Sequence, residues 1–187
     1  MWKKILLAVV GAIALFVIGT LIAASTRPDR MKVVREIDVA APPASVFPHL
    51  VDFHRWAAWS PWEKLDPGMQ RDYSGTPGAV GSSYHWSGND QVGEGRMTLS
   101  SARPSEQVAV QLEFLKPWQA TNQVEFALAP TASGTHVSWT MTGESSLPMK
   151  TMQLFMDMDA MIGKDFERGL SGLKQVSERT AAAAPAR

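Results

Sequence analysis

Four polar side chains in this 187-residue chain could move a proton or orient a bound molecule: Tyr84, Glu94, Arg96 and Asp159. Glu94 and Arg96 are two apart in the strand-like stretch Val92–Ser101, so they share one face. They are either a solvated ion pair or polar groups in an enclosed space, where they would orient a ligand or act as acid and base. Gly93 and Gly95 around them are no phosphate loop, because neither a Lys-Ser/Thr pair nor a helix start follows. They suit a strand bend or close packing under a large ring. Tyr84 and Trp86 alternate onto one face, with His85 on the other. An inward Tyr84 places a hydroxyl among apolar groups, where it needs a partner within the protein or on a ligand. Asp157 and Asp159 diverge on a helix and make a poor carboxylate pair. Asp159 falls on an otherwise apolar helical face and calls for a partner such as Arg96 or an indole N–H.

Other chemistries are excluded. The chain has no cysteine, hence no thiolate nucleophile and no Cys-based zinc site. His49, His54, His85 and His136 are scattered and lack the HExxH pattern, so no metal is expected. Ser60, in Trp-Ser-Pro, lacks the G-x-S-x-G setting of a hydrolase nucleophile. No cofactor is expected.

The elements that must position these groups are legible from periodicity. Lys32–Ala40 alternates and reads as a strand; Pro43 opens a short helix, and Asp52–Trp62 reads as a second, broken at Pro61. Six further strand-like pieces follow: Met69–Tyr73, Gly81–Trp86, Val92–Ser101, Gln107–Leu115, Thr121–Leu128 and Thr135–Thr142. The breaks between them are short, which implies an antiparallel meander. Phe114, Phe126, Trp139 and Met141 fall on the apolar faces of their strands, opposite polar faces, as in a sheet covered on one side. After Leu147-Pro148 a long amphipathic helix is expected to about Arg179. Five of the ten methionines lie in its first part, at 149, 152, 156, 158 and 161. Met152, Phe155, Asp159, Ile162 and Phe166 recur at three- and four-residue intervals. A flexible, polarizable Met-rich face adapts to irregular apolar shapes, bound molecules included. Trp56 and Trp59, three apart, share a helical face and would cap one end of the fold, line a cavity mouth or touch a membrane.

Ile5–Ala24 is twenty residues without a charge, long enough to cross a bilayer's hydrocarbon core. We read it as a single-pass anchor, with a cleaved signal peptide as the rival. Lys3 and Lys4 favour an inside N-terminus, Arg27, Arg30 and Lys32 oppose it, and we read the domain as extracytoplasmic. Residues 1–32 carry a net +4 and the remainder −4, a mildly acidic part that argues against nucleic-acid binding. The expected organisation is an anchor and linker at 1–32, one domain at 33–180 and a flexible tail at 181–187.

The order of elements resembles the helix-grip fold of the SRPBCC superfamily (START and Bet v 1-like), in its polyketide cyclase/dehydrase and lipid transport branch. Val39–Phe47, Trp56–Trp62, Val80–Trp86, Val92–Gly95 and Met158–Glu167 carry the resemblance, which covers roughly residues 33–178. It implies an α+β fold in which a seven-stranded antiparallel sheet grips the long C-terminal helix around a hydrophobic cavity. It names no reaction, because the superfamily has no universal catalytic set. The expected function is membrane-anchored binding of a small hydrophobic ligand, lipid or polyketide-like. The expected lining is Trp56, Trp59, Tyr84, Trp86, Phe114, Phe126, Trp139, Met141, Met152, Phe155 and Met156, with Glu94, Arg96 and Asp159 as polar contacts. The alternatives are a cyclase or dehydratase in which Glu94 or Tyr84 handles a proton, and a ligand-free protein-interaction module.

Overall fold

The computed structural model describes residues 2–183. The chain divides into two compact units, Met1–Met31 with Glu144–Met158, and Lys32–Gly143 with Asp159–Arg187.

The smaller unit holds α1 (Trp2–Ser25) and α3 (Leu147–Met152). Beyond Lys3 and Lys4, α1 carries no charge, so it is one helix long and apolar enough to cross a membrane. Beyond it, the backbone N–H of Ser145 donates to the carbonyl of Asp29 at 2.8 Å, and Lys150 pairs with the Asp29 carboxylate.

The larger unit contains the sheet. Its strands are β1 (Arg30–Val39), β2 (Gln70–Ser74), β3 (Ser83–Ser87), β4 (Glu94–Arg103), β5 (Gln107–Lys116), β6 (Ala120–Thr131) and β7 (Gly134–Glu144), in the order β1-β7-β6-β5-β4-β3-β2. β2 to β7 form the expected antiparallel meander. α2 (Pro43–Val51) starts with proline in its first turn, where a missing N–H costs nothing. Asp52–Trp62 is interrupted before Pro61 as expected, but its turns are 3₁₀ rather than α: Phe53–Ala58 and Pro61–Lys64.

α4 (Met158–Ala183) is the gripped helix. Its buried stripe of Phe166, Leu170, Leu173 and Val176 lies at three- and four-residue spacing, as a helix on a sheet requires. Gly169 and Gly172 let it sit at contact distance. A Cβ on Gly169 would come within 2.7 Å of the Trp139 ring, and one on Gly172 within 2.6 Å of the Trp59 carbonyl.

The C-terminal helical region departs from the expected single helix. It breaks at residues 153–157, and the Met-rich stretch up to Met158 belongs to the same compact unit as α1. Asp157 stands directly before α4, at the position where Asp is favoured as a cap. The tail expected at 181–187 instead begins with residues that extend α4 to Ala183; 184–187 lie outside the described residues.

Candidate functional site

The inward face of the sheet carries Tyr84 and Trp86 on β3, Met97 and Leu99 on β4, Val108 and Val110 on β5, Val124 and Phe126 on β6, and Val137, Trp139 and Met141 on β7, all buried. β5 is the central strand, so its inward side chains should be the best covered. Val108 and Val110 are. Leu112 and Phe114, next on the same face, are only half-buried. Among the described residues, these inward side chains of the central strand are less covered than Val108 and Val110. Phe114 meets the edge of the Trp86 ring at 6.1 Å, and Leu112 pairs across the sheet with Met97 and Asn122. These residues form the walls of the candidate site.

Gly95 opposes Trp86 in register, and a Cβ there would lie 2.3 Å from the indole. That is the close packing under a large ring expected from the glycine. The Trp86 N–H donates to the Val92 carbonyl at 2.9 Å, so the ring is fixed at both ends.

Tyr84 has its partner within the protein. Its hydroxyl donates to Glu63 Oε1 at 2.7 Å, while Arg71 Nε donates to Glu63 Oε2 at 2.8 Å. Burial first, and then the bond to Glu63, push the Tyr84 ionisation well above its ordinary value. Glu63 and Arg71 escaped the sequence reading. Glu63 sits in a 3₁₀ segment without hydrophobic periodicity, and its two partners are eight and twenty-one residues away.

The remaining candidates separate into three groups. Trp56 and Trp59 are buried 4.8 Å apart, and their N–H groups donate to the carbonyls of Leu50 and His49. They pack against the edges of Phe126 and cap the core. Trp139 is buried between Phe126 and Phe166, its N–H lacking a hydrogen-bond partner among the described residues.

Glu94 and Arg96 lie on the outer face. Glu94 pairs with Lys116 at 2.6 Å and with His85 at 3.4 Å, and the Lys116 bond holds its carboxyl below the usual range. This is the solvated alternative, though the cation is Lys116 rather than Arg96, which is exposed.

The third group lies toward the C-terminus. Met152, Phe155 and Met156 are exposed and precede α4 instead of belonging to its buried stripe. Asp159 is exposed at the start of α4 and pairs at 2.9 Å with Arg35, which also binds Glu167 at 2.9 Å. The partners expected for Asp159 were Arg96 or an indole N–H; strand β1 supplies Arg35 instead, because its inward face runs beneath the first turns of α4. Among the described residues no group of three or more His, Asp or Glu is placed to hold a metal ion.

A seven-stranded antiparallel sheet around a C-terminal helix, with one end of its inner face uncovered, is the geometry against which relatives are judged. The family model for polyketide cyclase / dehydrase and lipid transport matches residues 30–178. The chain belongs to that family. Within the wider SRPBCC superfamily, its fold is similar to that of protein MLL2253 from Mesorhizobium loti (TM-score 0.60, 19% identity, 80% of this chain and 98% of that one). It is also similar to the Aha1 dimer from Colwellia psychrerythraea (TM-score 0.57, 19% identity, 79% and 96%). The allergen Ara h 8.0201 aligns at TM-score 0.53 and 12% identity over 83% and 99%. At these identities the likeness is one of fold. No match to a curated protein was found. Family membership accounts for the order of elements and for a hydrophobic inner face; the residues on that face are this chain's own.

Proposed function

We propose that the domain binds a small hydrophobic molecule, lipid or polyketide-like, against the inner face at the Leu112–Phe114 end of the sheet, while α1 holds it to a membrane with the domain on the extracytoplasmic side. The observation that carries this reading is the half-exposure of Leu112 and Phe114 on the inward face of the central strand. Apolar carbon left uncovered there is a standing driving force for a ligand. Each roughly 100 Å² of it that a ligand covers gains about 2.5 kcal/mol before ordering costs. Trp86, Met97 and Phe114 give rigid and adaptable apolar walls.

The enzyme reading is weaker. Both Glu63 oxygens are occupied, the Tyr84 proton is committed to Glu63, and Glu94 faces outward against Lys116.

The test is organic extraction of the full-length protein from nanodiscs of a single synthetic phosphatidylcholine, with mass spectrometry of the extract. A stoichiometric apolar species other than the nanodisc lipid, or a thermal shift with members of a fatty-acid and sterol panel, is the expected result. Neither appearing would overturn the reading.

A further inference from the structure

We propose that the end of the domain carrying Trp118 rests on the surface of the bilayer that α1 spans, so that the uncovered part of the inner face opens toward lipid rather than water. The inference rests on reading α1 as an anchor and adds an interaction surface to it.

Topology identifies the end. Val39 and Ala41 lie at the far end of β7, beside Gly134, where the Thr135 hydroxyl donates to the Ala41 carbonyl at 2.7 Å. β1 therefore starts at the opposite end. There Gly143 pairs with Asn122 near the β5–β6 turn, and Glu94 pairs with Lys116. Residues 117–119, residues 88–93 and the start of β1 all share that end, as do Leu112 and Phe114. Only Thr26–Met31 separates α1 from Lys32, and a fully extended linker of that length reaches about 25 Å at most. A linker that short limits how far the start of β1 can lie from the end of α1.

The same end presents an apolar residue suited to that neighbour. Trp56, Trp59, Trp86 and Trp139 are buried and Trp62 is half-buried, whereas Trp118 is 79% exposed. Leu65, 42% exposed, lies nearby, because adjacent Asp66 accepts a bond from Asn89 in the 88–93 turn at 2.7 Å. Trp118 does not hang on a loose loop. Gly93, at φ +63°, packs so closely on the neighbouring turn that a Cβ would lie 2.4 Å from the Lys116 carbonyl. An indole held out on a firm turn, beside a membrane-proximal strand end, fits the headgroup region, where its ring meets apolar carbon and its N–H stays hydrated.

The experiment uses the full-length protein in phosphatidylcholine vesicles, with and without bromine on the acyl chains near the headgroups. Trp2 flanks α1 and would dominate quenching, so both proteins carry Trp2→Phe. Brominated lipid is expected to quench the Trp2→Phe protein and to quench Trp2→Phe/Trp118→Phe less than half as much. Equal quenching of the two would overturn the proposal and leave the anchor standing. Flotation after an alkaline carbonate wash separates the cases: protein that does not float with the vesicles removes the anchor and this proposal together.

Discussion

Phe166 of α4 stacks on Trp139 of β7, centroids 4.0 Å apart and planes 12° from parallel. The pair is the contact through which the helix holds the sheet, since Gly169 leaves room for the same indole one turn later. Phe166→Ala removes the ring from a fully packed position, and such deletions cost about 3–5 kcal/mol. Urea unfolding of the full chain, followed by tryptophan fluorescence, should show a loss of that size.

Acid should weaken the fold through His49. Its Nε2 lies 3.1 Å from the Thr180 hydroxyl, which already donates to the Val176 carbonyl. Nε2 must therefore carry the proton, which leaves Nδ1 bare and buried without a partner among the described residues. Burial first, and Arg55 second, lower the folded imidazole below its ordinary value of 6.5. With the folded value depressed, the unfolded chain takes up the proton first as pH falls. The contribution is complete above about 6.5 and is lost as pH drops through the folded value. His49→Gln keeps a donor for Thr180 but cannot titrate. It should lose less stability than the native chain between about pH 7.5 and 5.5.

The Tyr84–Glu63–Arg71 cluster should respond unequally to its two donors. Tyr84→Phe removes one bond to a carboxylate that Arg71 still neutralises, a loss of about 1.5–3 kcal/mol. Arg71→Ala leaves the Glu63 charge, whose side chain is 6% exposed, without its cation, and such a break costs about 3–5 kcal/mol. Unfolding free energies of the two variants in the reverse order would show that the cluster is not held by the ion pair.

Ligand binding should be blocked by filling the uncovered end. Leu112→Trp adds a ring where the structure leaves room, so the fold should survive with a change under about 1.5 kcal/mol. The stabilisation produced by a bound apolar ligand should fall by tenfold or more in apparent affinity, read by thermal shift. Glu94→Gln, on the outer face, should leave that shift unchanged.

What could be read in the chain follows the range of the forces involved. Strand alternation puts Tyr84 and Trp86 on one face because the period of two is set within five residues, whereas a strand bend and close packing under a ring stayed open for Gly93 and Gly95 until the register placed Gly95 against Trp86. The Met-rich helix was over-extended for a related reason. Met152, Phe155, Asp159 and Ile162 keep helical spacing across the interruption, and no Gly or Pro falls between 149 and 162 to announce it. Only Asp157, in capping position, hints at a new start. The partners of polar groups were not legible. Arg35 meets Asp159 across 124 residues, and Glu63 meets Tyr84 across 21, through pairings that only the closed sheet creates.

Leaving Leu112 and Phe114 only partly covered has a calorimetric consequence. Hydrating apolar carbon raises heat capacity, and dehydrating it lowers it. Carbon that folding leaves exposed keeps a heat-capacity excess that buried carbon sheds. Whatever molecule covers those carbons should bind with a negative heat-capacity change, its enthalpy growing more favourable as the sample is warmed.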